Sequence, residues 1–146
     1  MAEDDEGGDT IQPSTPAPVV AVFNSSDDVV ALLREALQEE GFVVVTAHVP
    51  DIKAGREDVL AFLRRYEPQV VIYDISPPYA ENWTFFRLLQ DTDAARGRQF
   101  ILTTTNLRAL AEAAGEAKAI ELVGKPYDLE EIVQAVRRAL DQQPES

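Results

Sequence analysis

The chain reads as a three-layer α/β sandwich, a five-stranded parallel sheet with five helices divided between its two faces and joined by right-handed crossovers. Two observations predict this. The first is strand-length apolar runs without alternation, Val19 Val20 Ala21 Val22 Phe23 and Val70 Val71 Ile72 Tyr73, which suit strands covered on both faces. The second is that apolar residues between the runs recur at helical spacing, so strand and helix alternate from residue 19 to residue 142.

A length of 146 residues fits one domain with a full core. Residues 1–18, rich in acids, Gly, Pro, Ser and Thr, have almost nothing to bury and read as a disordered acidic leader. The domain then spans residues 19–142, and residues 143–146 form a polar tail. Twenty-six acidic against 13 basic residues give a net charge of −13, which argues against nucleic acid as a partner because phosphate contacts need clustered cations. An acidic domain is expected to meet other proteins. The absence of cysteine excludes disulfides and thiol nucleophiles, and the single histidine, His48, leaves a catalytic triad or His-based metal site without parts. No apolar run approaches the ~20 residues of a membrane span, and the first residues lack the pattern of a secretory signal, so a cytoplasmic location is expected.

In order, the first strand ends at Asn24 Ser25, where Ser26 or Asp27 can cap a helix carrying Val29, Leu33 and Leu37 until Gly41 stops it. A second strand over 43–47 leads into an irregular piece, residues 48–57, with His48 as a solvated residue at the strand end. A helix over about 58–66 follows, closed by Pro68. The third strand then delivers Asp74 to its C-terminal tip, before Ser76 Pro77 Pro78. Ligands of open parallel sheets collect beyond the strand ends, which makes Asp74 the leading functional candidate.

Asn82 suits a left-handed turn position ahead of a helix with Trp83, Phe86 and Leu89 on its core face, and residues 91–98 form a polar connection. The fourth strand, 100–105, ends in Thr103 Thr104 Thr105. A thin-faced, Ala-rich helix from 107 to about 117 is expected to be mobile. Residues 120–123 make a short fifth strand, followed by Gly124 Lys125 Pro126 and a last helix capped by Asp128.

One edge of such a sheet therefore collects Asn24, Ser25, Asp74, Thr104 and Lys125. An aspartate can attack a phosphoryl group, and a neighbouring hydroxyl and ammonium can hold the new phosphate's oxygens.

With these residues in this order, the chain resembles the receiver domain of two-component response regulators over about residues 19–142. The resemblance implies a flavodoxin-like strand order 2-1-3-4-5, with Asp74 as phosphoacceptor and Pro78 four residues beyond it. Thr104 stands for the switch hydroxyl, with Thr105 in place of the small residue after it. Lys125 and Pro126 stand for the family's lysine and proline, whose peptide bond is typically cis. Three departures matter. Asn24 and Ser25 replace the acidic pair that holds Mg²⁺, and with only Asp74 and Ser76 beside them the Mg²⁺ site is expected to be weak or absent. Leu122 occupies the aromatic switch position. Residues 48–57 are about six longer than is typical, as either a partner-binding loop or a surface insertion.

The resemblance implies a stand-alone receiver rather than an enzyme, phosphorylated by a histidine kinase or phosphotransfer protein. It would signal to a downstream protein through the face of the fourth helix, fifth strand and fifth helix, a face that also allows a homodimer. The alternative is a degenerate receiver that serves as a phosphorylation-independent interaction module. A flavin or nucleotide carrier on the same fold is disfavoured, because the first loop lacks glycines and a run of hydroxyls to wrap a phosphate.

Overall fold

The computed structural model describes residues 16–115, 118–124 and 126–142. Most of the leader, the end of the 107–117 helix, Lys125 with the peptide bond it shares with Pro126, and the 143–146 tail lie outside the described residues.

Five parallel strands, β1 (Val19–Asn24), β2 (Val43–His48), β3 (Val70–Asp74), β4 (Gln99–Thr104) and β5 (Ala119–Glu121), form one sheet in the order β2-β1-β3-β4-β5. This is the expected 2-1-3-4-5 order. The unalternating runs occupy its centre: Val20, Ala21, Val22 and Phe23 are fully buried in β1, and every residue of β3 is buried. Because side chains alternate across a sheet, each run feeds two cores at once. Val20, Val22, Val70 and Ile72 pack with Leu33, Leu37, Ile132 and Val136 on one face. Ala21, Phe23, Val71 and Tyr73 pack with Phe62, Leu63, Phe86 and Leu110 on the other.

The first face is covered by α1 (Asp27–Glu39) and α6 (Pro126–Asp141). The second is covered by α2 (Val49–Lys53), α3 (Val59–Tyr66), α4 (Tyr79–Gln90) and α5 (Leu107–Ala114). A chain of rings runs through this second layer, from Phe62 through Phe23, Tyr73 and Phe86 to Phe100, with centroids 5.2 to 6.0 Å apart. Such edge and tilted contacts add to the area that the rings bury.

Several local expectations are corrected. Among the described residues there are six α-helices, not five, because residues 49–53 of the piece read as irregular form α2, which carries Pro50 in its first turn and buries Val49 and Ile52. Five residues are too few for a periodic pattern to be read. Asn82 is not in a turn: α4 begins at Tyr79, one residue after Pro78 at its N-cap, and Asn82 is buried within it. The 91–98 connection contains a 3₁₀ turn at Asp93–Ala95. Asp128 lies inside α6, where its carboxylate accepts from the backbone of Val123 (2.9 Å) and Gly124 (2.8 Å) and so ties down the β5–α6 loop. Ser26 does cap α1, accepting from the Val29 amide at 3.3 Å.

Candidate functional site

Asp74 sits at the tip of the most buried strand and is only 6 % exposed. Its Oδ1 accepts a hydrogen bond from the Thr103 hydroxyl at 2.7 Å. Asp74 and Thr103 are register partners across β3 and β4, so their side chains leave the sheet on the same face. Burial pushes the Asp74 carboxyl above its ordinary range, and the Thr103 bond partly opposes this by favouring the charged form. Burial, and then the Asp74 charge, also pushes the neighbouring Tyr73 hydroxyl up.

Thr104 is therefore not the hydroxyl beside Asp74. One residue further along a strand reverses the face, and Thr104 is fully buried, its Oγ1 accepting from the Asn106 amide at 3.4 Å. Two residues further, Thr105 returns to the Asp74 side and lines the same cavity as Asp74. Sequence reasoning missed Thr103 because three successive threonines give the same signal; only the register of β4 against β3 chooses among them.

The cavity, of about 640 Å³, lies between α1 and the β5–α6 loop. Asn24, Ser25, Asp74 and Ser76 line it, as expected for a site built at one sheet edge, and Leu122 lines it too. Leu122 also packs, half-buried, against the core between the sheet and α1 and α6, which gives it a structural role. The rest of the lining is mostly apolar, with Val29, Leu32 and Ile132 prominent.

The oxygens proposed for a metal are mostly engaged elsewhere. Asn24 is 4 % exposed and its Oδ1 accepts from the Ser26 amide at 2.9 Å, which shapes the entry to α1. The peptide oxygen of Ser76 accepts from Asn82 Nδ2 at 2.5 Å. Asp74 is the one carboxylate of the set, and among the described residues no three His, Asp or Glu side chains are grouped so that they could hold a metal ion. A hard divalent ion prefers several anionic oxygens, so these residues fit Mg²⁺ poorly.

A second opening adjoins the first. Ser25 and Ser76 border both, and the second is completed by α2, with Val49, Pro50 and Lys53, and by Asn82. Lys53 Nζ donates to Asn82 Oδ1 at 2.5 Å. His48 contacts the Ser25 carbonyl through Nε2 at 3.1 Å; a carbonyl only accepts, so Nε2 carries the proton. Neither Lys53 nor the His48–Ser25 contact is marked by any motif, because each depends on how α2 is placed.

Solved structures share this fold. A sensor protein from Polaromonas sp. JS666 superposes with a TM-score of 0.68 at 18% identity, covering 88% of this chain and 100% of that one. The Vibrio cholerae chemotaxis response regulator CheY4 gives 0.61 at 21% identity, over 84% of this chain and 98% of its own. A structure described as a transiently phosphorylated "switch" in bacterial signal transduction gives 0.62 at 25% identity, over 88% and 98%. None of the curated proteins matches. No described helix is long and apolar enough to cross a membrane. The family model of the response regulator receiver domain matches residues 20–137, the stretch that holds all of the sheet but Val19 and five of the helices entire, and the chain belongs to that family.

Proposed function

We propose that this receiver domain accepts a phosphoryl group on Asp74 and signals through protein contacts. The observation that carries the reading is the setting of Asp74: a buried carboxylate at the tip of the central strand, held by Thr103 on Oδ1, with Oδ2 unbonded among the described residues, and facing a cavity. In this reading Oδ2 bonds to phosphorus as the donor's P–N bond to a phosphohistidine breaks, the imidazole nitrogen keeping the electron pair. A histidine kinase or phosphotransfer protein supplies the group, so this chain is the acceptor and not the enzyme. The new charge is answered by Thr105 at the cavity wall and, by the family resemblance, by Lys125. Its output is a contact of a downstream protein, or of a second copy, with the α5–β5–α6 face, in the cytoplasm.

The experiment is intact-mass measurement after incubation with acetyl phosphate. A gain of one phosphoryl group that is absent in Asp74→Asn supports the reading. Equal gains in both proteins, or none in either, overturn it.

A second reading, an interaction module independent of phosphorylation, is favoured by Asn24 and Ser25 in place of acids and by the occupied Ser76 oxygen. Partner capture unaffected by Asp74→Asn and Lys125→Ala would select it.

A further inference from the structure

The loop that follows Asp74 is held by a relay of side chains. The Ser76 carbonyl, two residues past Asp74, accepts from Asn82 Nδ2, and Asn82 Oδ1 accepts from Lys53 Nζ, both at 2.5 Å. Asn82 is 6 % exposed, so its amide is fixed between the two, and its orientation is set by chemistry. Oδ1 must face the ammonium, which only donates, and Nδ2 must face the carbonyl, which only accepts. The relay thus places a positive charge two hydrogen bonds from a peptide oxygen of the phosphoacceptor loop, in an opening that shares Ser25 and Ser76 with the cavity of Asp74.

The ammonium comes from α2, within the extra length of residues 48–57. Val49 and Ile52 anchor that helix in the core, while Lys53 itself is exposed and reaches back toward the β3–α4 loop. His48, on the contact to the Ser25 carbonyl, fixes the start of the same segment against the β1–α1 loop. Both loops that would border a bound anion are therefore pinned by the one insertion. Of the oxygens that could have gathered a divalent ion, those of Asn24 and Ser76 are neutral and already bonded, which leaves the Asp74 carboxylate as the one anionic group among them.

We propose that Lys53, presented through Asn82, is a resident cation at the rim of this site, adding to the charge that Lys125 would bring and compensating an anionic phosphoryl group at Asp74 so that the site operates without a divalent metal. The proposal rests on Asp74 being the phosphoacceptor. It assigns the insertion a role: it brings a fixed charge where a pair of acids would otherwise bring a mobile ion. The step it assists is the one stated for acetyl phosphate, in which Asp74 Oδ2 bonds to phosphorus, the P–O bond to acetate breaks, and acetate leaves with the electron pair. Lys53 changes no bond; its charge lowers the energy of the oxygens around phosphorus.

The test is the rate of phosphoryl gain from acetyl phosphate, read by intact mass, with EDTA or with Mg²⁺. The wild-type protein should react at the same rate in both. Lys53→Gln keeps a donor for Asn82 Oδ1 but removes the charge, and should slow the reaction about tenfold, whereas Lys53→Arg keeps the charge and should stay near wild type. A merely structural lysine would be replaced by glutamine without loss, so an unchanged Lys53→Gln rate overturns the proposal. A wild-type reaction that requires Mg²⁺ also overturns it while leaving Asp74 as phosphoacceptor. No reaction under either condition removes the phosphoacceptor reading and this inference together. Trp83, the single tryptophan and the residue after Asn82, gives a second measurement: its fluorescence should not respond to Mg²⁺, and a saturable response in the wild type counts against a resident cation.

Discussion

Thr103 donates its hydroxyl to Asp74 Oδ1 at 2.7 Å across the β3–β4 register, so the one side chain bonded to the Asp74 carboxylate among the described residues is set by strand pairing and not by a loop. Removing that donor in Thr103→Val should strip a hydrogen bond to a buried carboxylate, worth about 1.5–3 kcal/mol. The pH at which phosphorylation reaches half its limiting rate should rise by about one to two units, each unit being 1.36 kcal/mol. Thr103→Ser should leave it in place. A pH–rate profile from acetyl phosphate decides the matter.

Asp74 costs the fold stability in a pH-dependent way. Its folded carboxyl titrates above the unfolded value because burial disfavours the charge. Between the unfolded and the folded value the native state holds more protons than the unfolded state, so stability falls as pH rises through that window and stays reduced above it. Asp74→Asn should therefore stabilise the protein at neutral pH, by about 0.5–2 kcal/mol as is common when a strained functional group is relieved. The gain should vanish below the ordinary carboxylate range, as thermal melts at neutral and acid pH will show.

Asn24→Asp with Ser25→Asp should convert the site to a metal site. Three carboxylates at one strand edge repel one another without a counterion, so melting should fall in EDTA and recover with Mg²⁺, and calorimetry should detect Mg²⁺ binding absent from the wild type. Mg²⁺-independent melting in the double variant would mean that the three side chains do not face a common point.

Arg98 is a structural clamp. It donates to the carbonyls of Ala94 (2.8 Å), Pro68 (2.9 Å) and Leu63 (3.0 Å), joining three segments that frame the N-terminal end of β4, and its partial burial draws its guanidinium pKa down. A lysine cannot reproduce that planar fork. Arg98→Lys should cost about 1–3 kcal/mol in a denaturant titration, the penalty of buried carbonyls left unpaired, without altering phosphorylation at Asp74.

Phe86 joins the sheet to α4. It is 2 % exposed and its ring lies 5.2 Å from Tyr73, 5.5 Å from Phe100 and 5.8 Å from Trp83. Phe86→Ala should cost about 3–5 kcal/mol, the usual price of an aromatic cavity in a core. It should also shift the Trp83 emission to the red as water enters, measured on the same denaturation series.

What could be read in one dimension was whatever one dimension encodes. Val19 to Phe23 and Val70 to Tyr73 announce central strands because a strand buried on both faces cannot alternate, and Leu33 with Leu37 announces a helix because one turn separates them. Asp74 was legible as a candidate because a lone carboxylate ending such a run stands out from its background. Three things were decided only when the chain closed on itself. Thr103 was chosen over Thr104 by sheet register, where a shift of one residue exchanges faces. Asn82 became a buried bridge, not a turn residue, because α4 starts directly after Pro78. Lys53 came to the edge of the site because Val49 and Ile52 dock α2 against the core. Periodicity is a local property carried by the backbone, whereas register and docking are fixed by long-range packing, and that is why the scaffold was written in the sequence and the partners of Asp74 and Ser76 were not.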